Sequence, residues 1–296
     1  MTDEYREVRV AYQLSEAVLA VASQPGDTPP DQVTGLMAHF QRLFTAKFAL
    51  RWDFLTDEDF TRAIQADPRP SRANRLLLSH LLRLAEAYQV LSVWRVVELA
   101  APAVRALNAN EVTAACVLSR ALLEVAASFA LAVPRIEKWF VALPWDRVDE
   151  AFLDAEEMEQ FLTRLVFGSR LGDGVDVLKQ VNIITQLEKL DKYAERLGHH
   201  PKLVQERYAT LSEAAHPNFL GFERFTSGMT KEAGDGWSTR HTSFGAKGAA
   251  SEHLVRTCVW ALAFAHSIMI SNVPRLDEAK KAYLSALGAP LPHREK

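Results

Sequence analysis

Two charged residues in an otherwise apolar segment are the first candidates for chemistry in this chain. Arg120 and Glu124 are the only charges between Val112 and Val133. A segment that is apolar on all sides indicates a buried helix, and residues four apart lie on the same side of that helix, where they can pair. Because burial of each ion costs roughly several kcal/mol, other polar groups must complete their hydrogen bonding. The pair therefore either belongs to a binding or catalytic site or merely fixes the position of the helix.

A second polar group lies at the C-terminal end of a later helix. Tyr208, Ser212 and His216 follow one another at intervals of four residues, so they share one side of the predicted helix. Pro217 disfavours helical geometry at His216 and ends the helix there. His216 and Asn218 then lie at a helix C-terminus, where the helix dipole favours a protonated imidazole. This stripe of Tyr208, Ser212 and His216 forms either a polar site or a hydrogen-bonded core tyrosine and serine with a capping histidine.

We predict that these two polar groups meet in space and form one pocket. Charges in an apolar helix need partners, and the later helix offers a phenol, a hydroxyl and an imidazole. In this interpretation His216 reaches Glu124, and Arg120 bonds the Asn218 side chain or a carbonyl at the helix end. The predicted catalytic residues are Arg120, Glu124 and His216, and the predicted binding residues are Tyr208, Ser212 and Asn218.

The same helix end contains a weak indication of a metal site. Glu213 and His216 form an E-x-x-H motif, as in helical di-iron proteins, which need two such motifs and two further glutamates that point inward. No second E-x-x-H exists in this chain. Glu195 and His199, with His200 beside them, could hold a metal at the surface, but the flanking glycine and proline indicate a plain loop. We therefore expect neither a metal nor another cofactor.

Two segments carry a family resemblance. SRALLE at 119–124 and YATLSEAAHPN at 208–218 are similar to the R-x-x-x-E helix and the later Y-x-x-L-S-x-x-x-H-P helix end of uncharacterised bacterial proteins that resemble the HEPN group (higher eukaryotes and prokaryotes nucleotide-binding). The resemblance covers roughly residues 75–272. It implies a helical bundle that binds RNA, a nucleotide or a protein partner in a stress or phage-defence setting.

The chain departs from the motif of the members that cleave RNA. Those members use R-x(4–6)-H, usually with a polar residue just after the arginine. Arg207 lies too far upstream of His216, and Arg75 has the right spacing to His80 but is followed by leucine. The resemblance therefore implies the fold more than ribonuclease activity.

The segment 62–105 is locally basic. It holds seven arginines and no lysine, against three carboxylates. Such a segment can meet phosphates, or it can pack on the acidic helix start at 149–159 in the same chain or in another subunit. We favour a third interpretation, a solvated helix face.

The composition excludes a strongly basic nucleic-acid-binding protein and a secreted one. The chain has 296 residues and a net charge of −3, so only a local patch can attract nucleic acid or an anionic membrane. The charged N-terminus is not a signal peptide. Cys116 and Cys258 lie in apolar helical segments without a CxxC motif, which indicates reduced, buried thiols in a cytoplasmic protein.

Helix-forming residues dominate, and the turn signals are widely spaced, which predicts an all-α multi-helix bundle. The segments Val112–Val133 and Leu254–Val273 are its two apolar central helices; each is long enough to span a membrane, but the charges inside them indicate a buried core. Pro134 and Pro274 each begin a new helix in this prediction. Thr56 with Asp59, and Asn108 with Glu111, resemble capping boxes.

One segment interrupts the helical pattern. Residues 219–246 hold five glycines and many serines and threonines, which predicts a hairpin or an irregular insertion. A soft boundary at 107–110 divides the chain into an N-terminal helical layer, 1–107, and a C-terminal HEPN-like bundle, 108–296, unless the two form one continuous domain.

The leading functional hypothesis is a HEPN-like protein that binds RNA, a nucleotide or a protein partner. The first alternative is a non-catalytic interaction or structural protein, in which the polar cluster only supports the fold. The second is a metal-dependent helical oxidase. We expect a homodimer in the cytoplasm and no membrane association.

Overall fold

The structure is a computed structural model that describes residues 13–23, 30–43, 51–168, 182–196, 200–216, 222, 225–231, 238–242 and 249–288. Its helices are α1 (Glu16–Ala22), α2 (Pro30–Leu43), α3 (Asp57–Ala66), α4 (Pro70–Asn108), α5 (Val112–Ala142), a 3₁₀ turn (Trp145–Arg147), α6 (Glu156–Phe167), α7 (Ile183–Arg196), α8 (Leu203–Ala215) and α9 (Ala249–Leu287). Its strands are β1 (Thr226–Lys231) and β2 (Ser238–Thr242).

Two long apolar helices form the centre of the fold. α5 and α9 share the most extensive contact, α4 packs against both, α2 covers α9, and α8 lies against α5 and α9. Large side chains such as Phe129, Leu122 and Leu262 are fully buried between these helices. The prediction of an all-α bundle around two apolar central helices is confirmed.

Both central helices continue through a proline, so the prediction that Pro134 and Pro274 begin new helices is wrong. A proline inside a helix removes one hydrogen bond and costs about 3 kcal/mol. The residues on either side of Pro134 offset this cost because Val133 and Ile136 are fully buried, and Leu276 is fully buried after Pro274. Packing of the whole helix therefore outweighs the local preference.

The turn between α4 and α5 is a Schellman motif, so the predicted capping box of Asn108 and Glu111 is wrong. Asn110 adopts the left-handed conformation with φ 60°. Its N–H donates to the carbonyl of Leu107 at 3.0 Å, and the N–H of Glu111 donates to that of Ala106 at 2.7 Å. These bonds satisfy the last carbonyls of α4, and Asn108 is left free to bind the segment before α1.

The Thr56 half of the other predicted capping box is confirmed. Thr56 precedes α3, and its hydroxyl accepts a hydrogen bond from the N–H of Asp59 at 3.1 Å. The hydroxyl of Thr56 also donates to the Asp59 carboxylate at 2.8 Å.

The segment after α8 contains the hairpin that was one of the two predicted alternatives for 219–246. β1 and β2 pair antiparallel, with Met229 opposite Arg240 and Thr226 opposite Thr242. A bulge lies between Thr226 and Met229.

Elements on both sides of the proposed boundary at 107–110 share one core. α4 packs against α5 and α9, and buried residues from all three belong to one cluster. The division into 1–107 and 108–296 stays a prediction.

Two helical segments are long and apolar enough to cross a membrane, Val112–Ala142 and Ser251–Leu287. In their most apolar windows, 50% and 61% of the residues are buried inside the fold. A buried core helix passes the same test of length and composition, so cytoplasmic location stays a prediction.

Candidate functional site

The position of α8 depends on a carboxylate from α7. α8 has no capping side chain of its own, because Lys202 precedes it in the left-handed conformation with φ 63°. Asp191 accepts hydrogen bonds from the N–H groups of Val204 at 2.8 Å and Gln205 at 3.0 Å, and from the Gln205 side chain at 3.0 Å. The carboxylate is 4% exposed and supplies the helix cap from a neighbouring element. No local sequence motif predicts this cap.

α8 brings Tyr208 against the charged pair of α5. The Tyr208 hydroxyl donates to Glu124 Oε1 at 2.7 Å and accepts from Arg120 Nε at 3.1 Å. Arg120 Nε and Glu124 Oε1 are 3.5 Å apart. The phenol therefore bridges the ion pair, and the predicted meeting of Arg120 and Glu124 with the Tyr208 stripe is confirmed.

Burial raises the pKa of Tyr208, and its hydrogen bond to Glu124 raises that pKa further, while Arg120 lowers it in part. The phenol thus keeps its proton and donates a hydrogen bond to the carboxylate. The guanidinium carbon of Arg120 lies 5.1 Å from the centre of the Tyr208 ring. Together these contacts fix the direction of the arginine side chain.

His216 lies beside Arg120 and not beside Glu124, which corrects the predicted contact. Its Nε2 is 3.5 Å from Arg120 Nη1. Because a guanidinium only donates hydrogen bonds, Nε2 is the acceptor in this contact. His216 has extended backbone geometry (φ −98°, ψ 161°), and its N–H donates to the Ser212 carbonyl at 3.2 Å. α8 therefore ends at Ala215, as the proline at 217 predicts.

The ion pair is open to solvent, so the prediction of a buried pair is wrong. The side chains of Arg120 and Glu124 are 31% and 37% exposed, and His216 is exposed. One turn earlier on the same helix, Val117 is 46% exposed. The apolar composition of this segment suggested burial on all sides, but the neighbouring helices leave one side of α5 uncovered. A ligand can therefore reach the charged groups.

Ser212 and Asn218 are the two other predicted binding residues. The Ser212 hydroxyl is buried and has no hydrogen-bond partner within the described ranges. Asn218 lies outside the described residues.

Arg120 has guanidinium N–H groups that bind no described residue. A guanidinium carries five N–H groups in a planar fork, and the contacts of Arg120 to Tyr208 and His216 use two of them. Towards the described part of the chain the remaining N–H groups make no hydrogen bond. This is an arrangement that can bind two oxygens of a phosphate or carboxylate, with the exposed imidazole of His216 next to the bound anion.

The Arg75 and His80 pair, which has the spacing of the RNA-cleaving motif, does not form a site. Arg75 is exposed and lies 3.6 Å from Asp149. His80 is 6% exposed, and its Nδ1 accepts a hydrogen bond from the N–H of Leu55 at 3.1 Å. Burial, and to a smaller extent Arg83, lower the pKa of His80. The two side chains therefore serve different parts of the fold.

The basic segment 62–105 is mostly a solvated face. Three of its arginines pair with carboxylates near them in sequence, and Arg75 alone reaches the acidic stretch 149–159, at Asp149. Exposed pairs of this kind contribute little to stability.

The described ranges contain no group of three or more histidine, cysteine or carboxylate side chains that could hold a metal ion. Glu213 is exposed on α8, and His199 lies outside these ranges. The oxidase alternative therefore has no set of ligands in the part of the fold that can be described.

No family model, curated protein or solved structure matches this chain.

Proposed function

We propose that the chain is a HEPN-like helical protein that binds RNA in the cytoplasm, in a stress or defence role, with Arg120 and His216 contacting the RNA phosphate. One observation carries the proposal: the two side chains come from separate helices, lie 3.5 Å apart and are both open to solvent. A guanidinium with unused donors matches the oxygens of a phosphate, and an imidazole can transfer protons near neutral pH.

The same pair is suited to cleavage of the strand, a ribonuclease-like activity, although the chain departs from the R-x(4–6)-H motif of the RNA-cleaving members. RNA carries a 2′-hydroxyl next to each phosphodiester. In exchange for its contact with Arg120, His216 Nε2 accepts the proton of this hydroxyl as the hydroxyl oxygen attacks phosphorus, and Arg120 stabilises the negative charge that develops on the phosphate. The bond to the 5′ oxygen breaks and water protonates that oxygen. The products are a 2′,3′-cyclic phosphate and a 5′-hydroxyl.

In this proposal Glu124 and Tyr208 position Arg120. The hydrogen bonds from Arg120 Nε to Tyr208 and from Tyr208 to Glu124 hold one edge of the guanidinium. The opposite edge then faces the ligand in a fixed direction, which lowers the entropy lost on binding.

The second candidate function is a non-catalytic interaction protein. It is favoured by the hydrogen bonds among Arg120, Tyr208 and Glu124, which join α5 to α8 and would suffice as a structural clamp. The expected homodimer stays a prediction under both hypotheses.

RNA binding by matched variants separates the two functions. Fluorescence anisotropy with a labelled single-stranded RNA of mixed sequence is measured for the wild type, Arg120→Gln and a control, Arg75→Gln. Arg75 is also an exposed arginine on a long helix, and it lies beside a carboxylate. Loss of one charge-assisted hydrogen bond predicts about tenfold weaker binding for Arg120→Gln and little change for Arg75→Gln.

Cleavage is followed on the same RNA by gel electrophoresis. His216→Asn is expected to retain binding and to lose cleavage, since the amide cannot accept a proton. If neither the wild type nor Arg120→Gln binds RNA, the RNA proposal is wrong and the interaction protein remains. If both bind RNA equally, the assignment of Arg120 as a phosphate contact is wrong.

A further inference from the structure

A second cluster lies on the other side of α8, and it contains an arginine that has no carboxylate partner among the described residues. Arg207 directly precedes Tyr208 in the chain, but it faces α9, where its Nη1 donates to the hydroxyl of Thr257 at 3.2 Å. Its guanidinium carbon lies 5.9 Å from the centre of the Trp260 ring. Phe264, one turn further along α9, stacks on Trp260 with ring centres 5.0 Å apart and planes at 17°. Arg207, Trp260 and Phe264 are all partly exposed, and we call them the Trp260 cluster.

The fold contains another arginine that lies beside a tryptophan and a phenylalanine. Arg135 lies 4.3 Å from the centre of the Trp139 ring and 4.2 Å from that of Phe161. There the two rings meet edge to face at 73°, and Arg135 is paired with Glu157 at 2.6 Å. The rings and the charge of that cluster are therefore used within the fold, where they join α5 to α6.

The Trp260 cluster differs in both respects. Within the described ranges no carboxylate lies within ion-pair distance of Arg207, so its charge is not neutralised, and Thr257 occupies only one of its five donors. Its aromatic rings are nearly parallel and stack on each other, so the pair offers a flat outer ring face. A flat aromatic surface beside an unpaired guanidinium is the combination that binds an unpaired nucleobase and its phosphate.

We propose that the Trp260 cluster is a second contact for the RNA of the proposed function, and that it makes the site selective for single-stranded RNA. An unpaired base stacks on the ring of Trp260 or Phe264, and Arg207 binds an adjacent phosphate. Because Arg207 and Tyr208 are consecutive on α8 and face α9 and α5 respectively, one strand that crosses α8 meets both sites. Bases in a duplex are already stacked and paired, so they cannot make this contact. The inference rests on the proposed function for the identity of the ligand.

The test compares three RNA probes of the same length: a single strand, the same strand annealed to its complement, and a single strand with abasic sites. Trp260→Leu keeps an apolar side chain but removes the flat ring, and it is expected to raise the Kd for the single strand about tenfold. For the abasic strand it should change the Kd little, and the duplex should bind the wild type more weakly than the single strand does. Trp139→Leu is the matched control, because it removes the tryptophan of the Arg135 cluster, and it should leave all three values unchanged.

Circular dichroism and thermal unfolding establish that each variant is folded. If Trp260→Leu does not fold, Arg207→Gln and Arg207→Lys serve instead: both side chains are long, and only the lysine keeps the charge. Weaker binding by the glutamine variant, with recovery by the lysine variant, supports the contact. Wild-type affinity in both would overturn it.

The outcomes distinguish this inference from the function on which it rests. If Arg120→Gln weakens binding but Trp260→Leu does not, or weakens it equally on the abasic strand, the Trp260 cluster is not a base site. If Trp260→Leu weakens binding but Arg120→Gln does not, the base site stands and the proposed role of Arg120 is wrong. Binding of a polyglutamate peptide but of no RNA would identify an acidic peptide as the ligand and overturn the inference.

Discussion

The hydroxyl of Tyr208 on α8 donates a hydrogen bond of 2.7 Å to the carboxylate of Glu124 on α5. The same oxygen accepts from Arg120, so one phenol joins both members of an ion pair whose Nε and Oε1 atoms are 3.5 Å apart. This relationship gives the site its rigidity.

Removal of that phenol oxygen should destabilise the protein. Tyr208→Phe is expected to cost about 1 to 2 kcal/mol in the free energy of unfolding, because the hydrogen bond involves a charged group that is partly exposed. Urea unfolding monitored by circular dichroism measures it. Tyr88→Phe is the matched control: the Tyr88 hydroxyl binds the neutral Ser128 at 3.1 Å, and its loss should cost less. Equal stability of Tyr208→Phe and wild type would show that the bridge contributes nothing.

The exposure of the ion pair sets the expected cost of breaking it. A fully buried carboxylate left without its partner would cost about 3 to 5 kcal/mol. Because Arg120 and Glu124 are 31% and 37% exposed, Arg120→Ala is expected to cost about 1 kcal/mol or less. The double variant Arg120→Met/Glu124→Leu should have a free energy of unfolding close to that of Arg120→Ala. A loss of more than about 3 kcal/mol in Arg120→Ala, recovered in the double variant, would mean that the pair is desolvated.

Asp191 should be the more sensitive position, although it lies outside the ion pair. Asp191→Ala removes three hydrogen bonds to the start of α8 and leaves buried N–H groups without partners. We expect a loss of about 2 kcal/mol and weaker RNA binding, since α8 carries Tyr208 and His216. Asp154→Ala, at an exposed position, is the control. Unchanged unfolding in Asp191→Ala would contradict the assignment of this carboxylate as the cap of α8.

His266 predicts how stability depends on pH. Burial lowers its pKa from the ordinary value of 6.5 to about 4, partly opposed by a hydrogen bond with the Leu262 carbonyl. The unfolded chain therefore binds a proton more readily than the folded one between these values. Stability is present in full above about pH 6.5 and falls as the pH is lowered towards 4, by at most about 1.4 kcal/mol per pH unit.

Urea unfolding of the wild type and His266→Gln between pH 7.5 and pH 4.5 measures this contribution. In His266→Gln the free energy of unfolding should fall less steeply with decreasing pH than in the wild type. The control His39→Gln, at an exposed position on α2, should retain the wild-type slope. If His266→Gln shows the same slope as the wild type, the buried imidazole is not responsible for the pH dependence of stability.

The residues of the site could be predicted from the sequence because each lies on a helix with regular spacing. Arg120 and Glu124 are four apart, as are Tyr208, Ser212 and His216, so the stripes follow from helical geometry. The partners within the site were harder to assign: His216 was expected at Glu124, but the structure places it at Arg120. That choice depends on the crossing of α5 and α8, which no local pattern contains.

Exposure and capping could not be predicted for a related reason. The apolar composition around Arg120 indicates burial, but the exposed side of α5 follows from where the neighbouring helices end. Asp191 caps a helix that begins twelve residues later, with a turn between, so it matches no local motif. The continuous helices through Pro134 and Pro274 show that packing over many residues outweighs a proline.

The salt dependence of RNA binding tests the central claim most directly. The logarithm of Kd for a single-stranded RNA is measured against the logarithm of salt concentration for the wild type and for Arg120→Gln. If Arg120 contacts a phosphate, the variant should bind more weakly, and its slope should be smaller by about 0.7, the value for one contact to a single strand. An unchanged Kd and an unchanged slope in Arg120→Gln would contradict the assignment of Arg120 and His216 as a phosphate-binding site.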